Sequence, residues 1–363
     1  MERRSFLTKA GAGAATGGVI LGAPAIVRAQ SNVRWRMVSS FPKSLDTLFG
    51  GAEVIAKRVA AVTGGRFQIS THAAGEIVPA LQVLDAVQNG TVECGHTAPY
   101  YYFGKDPTWA FGTAVPFGLN YRQYNAWWYH AGGEKVYNEF TMKNGVRSIM
   151  AGNTGAQMGG WFRREINTVD DWKGLKFRVG GFAGVVLAKL GIVPQQIAGG
   201  EIYSALEKGT IDAAEWVGPY DDEKLGFHKV AKFYYTPGWW EVAPSLHLQV
   251  NPKAWDALPS EFKAVLEGAC FEANADMMAK YDAWNYAALR RLLAGGTQLR
   301  AFSRPVMDAC FKAAQEVYAE TNAKNPEFKK VHDHYFGFQT EQIAWFGVVE
   351  NRLDQYLASV KRS

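Results

Sequence analysis

The chain has 363 residues, 39 Lys and Arg against 34 Asp and Glu, and a net charge of +5. That length suggests two domains, and so slight a positive balance excludes a nucleic-acid footprint. Past residue 30 no apolar run reaches membrane-spanning length, and three widely spaced cysteines exclude a disulfide framework; Cys270 and Cys310, each in an apolar helical pattern, read as buried free thiols.

Residues 1–29 read as a twin-arginine export signal. Arg3-Arg4 precede Phe6-Leu7, an apolar Gly- and Ala-rich run follows, and Val27 and Ala29 offer the small residues a signal peptidase accepts. The run "GAGAATGG" half-matches a dinucleotide loop, but no strand precedes it and it lies in the removed segment. Arg3, Arg4, Lys9 and Arg28 stand against Glu2 in this segment, so the mature chain from about Gln30 is nearly neutral.

Short apolar runs then alternate with helical patterns. "WRMVSSF" (35–41) predicts a strand, 46–65 an amphipathic helix, "RFQIST" (66–71) a strand, 79–90 a helix and "TVECGHTA" (91–98) a strand. This βαβαβ order marks an α/β domain. It recurs through "VRSIMAGN", "QMGGWFRR" and "LKFRVG" as strands, a helix from about Phe182 to Leu190, a helix at 201–209 and a strand at 210–218. "LQVLDAVQNGTVECGHTAPYY" and "EIYSALEKGTIDAAEWVGPYD" align, with Gly90 and Gly209 as matching helix stops. The pattern predicts two similar lobes, each offering a strand end to a shared cleft. Residues 259–296 carry no internal Pro and end at Gly295-Gly296; one helix of this length, roughly 50 Å, would cross both lobes. Helices follow at 305–322 and about 339–360. In the last, Phe346, Val349, Leu353 and Tyr356 form an apolar stripe that must bury itself on its own body or on a partner.

Nucleophile elbows, Walker loops, H-E-x-x-H and C-x-x-C are all missing. "HDH" at 332–334 sits in a charged segment and reads as a solvated face. What remains is polar residues set in apolar runs: Gln157 in "NTGAQMGGW", Arg178 in "GLKFRVGG", Glu215 in "DAAEWVGP" and Glu241 in "PGWWEVAP". In "IDAAEWVGP" Glu215 shares a strand face with Ile211, Ala213 and Val217. Two buried carboxylates without a cation are costly. A metal ion with oxygen ligands would satisfy both, with Gln157 as a neutral third oxygen. Arg178 would then be free to hold an anion bidentately.

"GLKFRVGG", "ALEKGTIDAAEWVGPYDD", "PGWWE" and the long helix resemble, over essentially the whole mature chain, the periplasmic solute-binding proteins of tripartite ATP-independent (TRAP) transporters, the DctP-type family. "AEWVGP" and the paired tryptophans before Glu241 resemble the branch that binds 2-oxo monocarboxylates such as pyruvate. The resemblance implies a two-lobed α/β Venus-flytrap fold with a domain-spanning helix and a C-terminal helical extension. Lobe I would take 30–153 and about 248–280, lobe II 154–247 and about 281–304, and the extension 305–363. It implies that Arg178 grips the ligand carboxylate, with Tyr100, Tyr101, Gln157 and Asn153 in the substrate site and Gln249 near it. Gln157, Glu215, the Trp216 main-chain carbonyl and Glu241 would hold one cation. Na+ is the expected ion, with Ca2+ the alternative that two carboxylates favour. A membrane permease would be the partner, the periplasm the location, and the C-terminal helix a dimer contact. Lactate, a longer 2-oxo acid or a sugar acid are alternative ligands, and an exported metalloenzyme using Glu215 and Glu241 as an acid–base pair is a competing class.

Overall fold

The computed structural model describes residues 32–360; the export signal read at residues 1–29 lies outside them. Strands and helices alternate from the start: β1 (Val33–Ser39), α1 (Leu48–Val62), β2 (Phe67–His72), α2 (Val83–Gln88) and β3 (Cys94–Thr97). Two aromatic-rich helices, α3 (Tyr121–His130) and α4 (Gly133–Lys143), lead to β4 (Arg147–Asn153). A second run holds β5 (Gly160–Phe162), β6 (Lys176–Arg178), α5 (Ala183–Lys189), β7 (Val193–Gln195), α6 (Ile202–Glu207), β8 (Ala213–Ala214), α7 (Pro219–Leu225) and β9 (Phe233–Thr236). The chain ends with β10 (Ser245–Val250), α8 (Pro252–Ala257), α9 (Ser260–Ala294), β11 (Gln298–Ala301), α10 (Arg304–Lys324), α11 (Pro326–Val348) and α12 (Glu350–Ser359).

Two sheets result, in the orders β2-β1-β3-β10-β4 and β11-β9-β5-β8-β6-β7. Each contains three parallel strands followed by an antiparallel one, β10 beside β3 and β5 beside β8. The antiparallel strand is reached each time by the chain crossing from one sheet to the other, through 154–159 and through 237–244. The two aligned segments therefore occupy the same place in their sheets, ending in β3 and β8. Gly90 and Gly209 stop the preceding helices with φ of +71° and +70°, which glycine adopts without a Cβ clash.

At 35 residues, α9 is about 52 Å long at 1.5 Å per residue. Its first half buries Phe262, Leu266 and Ala273 with Met37, Ile55 and Leu248 against the first sheet. Further along, Tyr281 meets Asp221 of α7, and Arg291 pairs with Glu223 at 2.6 Å. One helix thus serves both halves. The extension does the same. In α10, Tyr318 stacks on Phe182 beside the second sheet and donates to the Pro116 carbonyl beside the first. Cys270 and Cys310 are buried free thiols, as expected, and Cys94 is one too. Among the described residues no helix is long and apolar enough to cross a membrane.

Three expectations change. The strand expected over 210–218 pairs only at Ala213–Ala214. Facing its end, Gly160 takes φ +88° so close to the Ala214 carbonyl that a Cβ would lie 2.6 Å from its oxygen. The last helix is two: α11 begins at Pro326 and the chain breaks at Val349 before α12. Of the apolar stripe only Phe346 is buried, under the Arg122 guanidinium at 4.9 Å, whereas Leu353 and Tyr356 are exposed. "HDH" is only partly solvated, since His334 Nδ1 accepts from the Trp127 indole at 2.9 Å.

Candidate functional site

β6 and β8 run parallel, with Arg178 opposite Ala214, and both end between the two sheets. Arg178 and Glu215 are fully buried there. The Arg178 Nη1 donates to the Glu215 main-chain oxygen at 2.8 Å and, in a very short contact, to its carboxylate Oε1. Nε donates to the Ile197 carbonyl at 3.1 Å, and the Gly180 amide donates to Glu215 Oε1 at 3.1 Å. The guanidinium also lies over the Trp216 ring, 5.0 Å from its centroid. The fork is thus locked by three acceptors, while Nη2 of Arg178 and Oε2 of Glu215 have no hydrogen-bond partner among the described residues.

Gln157 and Glu241 come from the two crossings. Both are buried, and both line a cavity of about 20 Å3 with Tyr100, Tyr101, Trp216 and Thr154. One terminal atom of the Gln157 amide lies 3.0 Å from Glu241 Oε2 and 2.9 Å from the Trp216 carbonyl oxygen; the other lies 3.0 Å from Thr154 Oγ1. With nitrogen toward Glu241 the amide donates to both oxygens. With oxygen there, three oxygens from three segments converge, an arrangement that only a cation makes favourable. Oε1 of Glu241 has no partner among the described residues. The donor chemistry therefore fits a hard cation bound by carboxylate, amide and main-chain oxygens. It is not a cluster of acids or histidines, and among the described residues no group of three or more His, Cys, Asp or Glu converges on a metal site.

Burial dominates the electrostatics. It pushes the Glu215 carboxyl up while Arg178 and the Gly180 amide pull it back. Burial, then the like charge of Glu215, pushes Glu241 well above the carboxylate range, and Arg178 opposes this. The Tyr101 hydroxyl is pushed up to about 12 by burial, and burial, then a charge on Glu241, pushes Tyr100 well above the usual phenol range, so both stay neutral donors. The Tyr100 ring lies on Gly180 and Gly181: a Cβ at either would come within 2.6 Å of it, and Gly181 has φ +59°. The opposite wall is apolar, from Phe41, Leu48, Val217 and Leu246.

Arg178, Glu215, Trp216, Glu241, Gln157, Tyr100 and Tyr101 thus come together. Asn153 stands one step back. Its amide donates to the Ala243 carbonyl at 3.2 Å and its oxygen accepts from the Gly155 amide at 2.8 Å, tying the two crossings to each other. Gln249 lies elsewhere, in the first sheet between Gly95 and Ser148, away from the cavity lining. Thr113, Thr154 and the apolar wall were not anticipated. The Gly180-Gly181 pair after the arginine strand was the one signal in the sequence for Tyr100's approach.

The family model for bacterial extracellular solute-binding proteins, family 7 (DctP) matches residues 38–325. The monocarboxylate 2-oxoacid-binding periplasmic protein of Nostoc sp. is 50% identical over 99% of this chain and 100% of its own. A TRAP transporter solute-binding protein of Bordetella bronchiseptica, crystallised as a mixed-occupancy dimer with co-purified calcium and picolinate, is 51% identical with a TM-score of 0.89, over 90% of this chain and 98% of that one. A TRAP periplasmic solute-binding protein of Pseudoalteromonas atlantica with bound sodium and pyruvate is 40% identical with a TM-score of 0.87, over 91% and 100%.

Proposed function

The chain belongs to the DctP family of bacterial extracellular solute-binding proteins, family 7, and on that premise we propose how its buried site is used. The protein is the substrate-binding component of a TRAP transporter, not an enzyme. It binds small 2-oxo monocarboxylates such as pyruvate with one metal ion, Na+ or Ca2+, in the periplasm.

The observation that carries the residue assignment is the meeting of Gln157, Glu241 and the Trp216 carbonyl beside the locked Arg178–Glu215 pair. Burial and the neighbouring Glu215 charge favour the neutral form of Glu241; ionised, the two carboxylates would exceed the one guanidinium by a negative charge, and an anionic ligand would add another. A bound cation supplies the offsetting charge and coordinates two adjacent ligand oxygens. Gln157, Glu215, Glu241 and the Trp216 carbonyl would hold it. Arg178 points its free Nη2 at the ligand carboxylate, and the neutral Tyr100 and Tyr101 hydroxyls donate from the other side. Picolinate and pyruvate share the chemistry this needs, a carboxylate with a second donor atom on the adjacent carbon. Size gives a further reason for such dense polar contact. Pyruvate has about six non-hydrogen atoms, so even at about −1.5 kcal/mol per atom its binding cannot much exceed roughly −9 kcal/mol.

We assign the halves that close on the ligand to the two sheets, lobe I to residues 30–153 with about 248–280 and lobe II to 154–247 with about 281–304. The permease would read the closed form. Export would use Arg3 and Arg4; a double Arg-to-Lys variant at these positions that still reached the periplasm would contradict this. The site itself is tested by Arg178→Lys, which keeps the charge but loses the fork. Calorimetry should show pyruvate affinity falling at least about 100-fold. Wild-type affinity in that variant would remove Arg178 from the site.

A further inference from the structure

The two acids that open α7 do different work. Asp222 faces the second sheet, where its carboxylate accepts from Trp161 Nε1 at 2.9 Å, Tyr234 OH at 2.7 Å and the Val217 amide at 3.3 Å. This fixes the segment that carries Glu215 and Trp216. Asp221 reaches toward the first sheet instead. It accepts from Thr47 Oγ1 at 2.7 Å and from Tyr281 OH of α9 at 2.6 Å, and it is fully buried.

Thr47 immediately precedes α1 with an already helical backbone (φ −85°, ψ −68°), and its side chain makes no capping bond to that helix. Its hydroxyl is committed across the cleft, to Asp221. The next residue, Leu48, lines the ligand cavity. At the rim the same two elements meet again, where Asp46 accepts from Tyr220 OH at 3.1 Å and pairs with Lys224.

We propose that the Thr47–Asp221 bond is the closing clasp of the binding protein, with Thr47 and Asp221 as positioning residues. This rests on the reading that the two halves close over a bound oxo acid. Tyr281 sits on the helix that both halves share and can hold one Asp221 oxygen in either state. Thr47 reaches the other oxygen only when the halves are together. With the halves apart, water serves both groups, so the bond distinguishes closed from open, and that difference is what a closure equilibrium responds to. Closing the clasp also seats Leu48 against the ligand.

The test is Thr47→Val, which removes the hydroxyl and keeps the shape, beside Thr47→Ser, which restores it. Pyruvate binding with Na+ or Ca2+ is followed by calorimetry and stopped flow, and melting of the ligand-free protein serves as a control. Thr47→Val should raise Kd about 10-fold or more, through faster dissociation, with the ligand-free melting point unchanged. Thr47→Ser should stay within about two-fold of wild type. Wild-type Kd and dissociation rate in Thr47→Val would overturn the clasp while leaving the ligand reading intact. So would a lowered ligand-free melting point with an unchanged ligand-induced shift, because that is what a merely structural bond gives. A wild-type protein that binds no 2-oxo acid under either ion overturns the ligand reading and the clasp with it.

Discussion

Polar residues in this molecule are buried for different reasons, and each reason has its own consequence. Arg178 and Glu215 pair with each other, yet one buried atom on each has no partner among the described residues, the atoms we propose meet a ligand and a cation. Asn153 spends both ends of its amide on the chain crossings. His247, in the first sheet, carries a plain burial cost: desolvation, then the neighbouring His96, pulls its pKa down to about 3. A histidine held neutral below its unfolded value of about 6.5 stabilises the fold fully above that pH, and the contribution is lost as pH falls toward 3. Between pH 7 and pH 5 this amounts to about 2 kcal/mol. His247→Asn should therefore be less stable than wild type at pH 7, with the gap narrowing by about 2 kcal/mol at pH 5 in urea unfolding. A gap that stayed constant would contradict the neutral assignment. Gln157, Arg178, Glu215 and Glu241 were legible as polar side chains in apolar runs, a pattern that records burial and not which cavity is faced; Tyr100, Tyr101, Asn153 and Gln249 came only from the family resemblance, and Gln249 lies in the first sheet away from the cavity. Thr47 and Asp221 gave no such signal, since an acid after Gly-Pro reads as an ordinary first-turn residue.

At the scale of elements, the parallel strands, the helix stops at Gly90 and Gly209, and α9 followed from periodicity and turn residues. Two features did not. The shortness of β8 is set against a different strand, where Gly160 approaches the Ala214 carbonyl, and no local pattern reports that contact. The break at Val349 falls inside a continuous apolar period, so α11 and α12 read as one helix. That break matters, because α12 has no buried residue and Leu353 and Tyr356 lie open on it, with Ile343, Trp345 and Val348 open on the preceding turns. We propose that a second copy of the chain covers this face. The double replacement Leu353→Glu with Tyr356→Glu touches no core position. It should turn a dimer into a monomer by light scattering and leave pyruvate affinity within about two-fold. An unchanged mass would place any dimer contact elsewhere.

At the scale of the whole molecule, the two halves are joined by the crossings at 154–159 and 237–244 and by the shared α9. The crossings carry Gln157 and Glu241, so two of the four groups that would hold a cation lie on the connections about which the halves would turn. The cavity between them, about 20 Å3, has room for little more than a water. On the proposed function, a ligand would enter with the halves apart and be enclosed as they meet. The central claim is that a cation completes this site. It is tested most directly by titrating pyruvate into metal-stripped protein in sodium-free buffer, then repeating the titration with Na+ or Ca2+ restored. The account predicts tight binding only with a cation present, with affinity falling at least about 100-fold without one. Equal affinity in both titrations would contradict it.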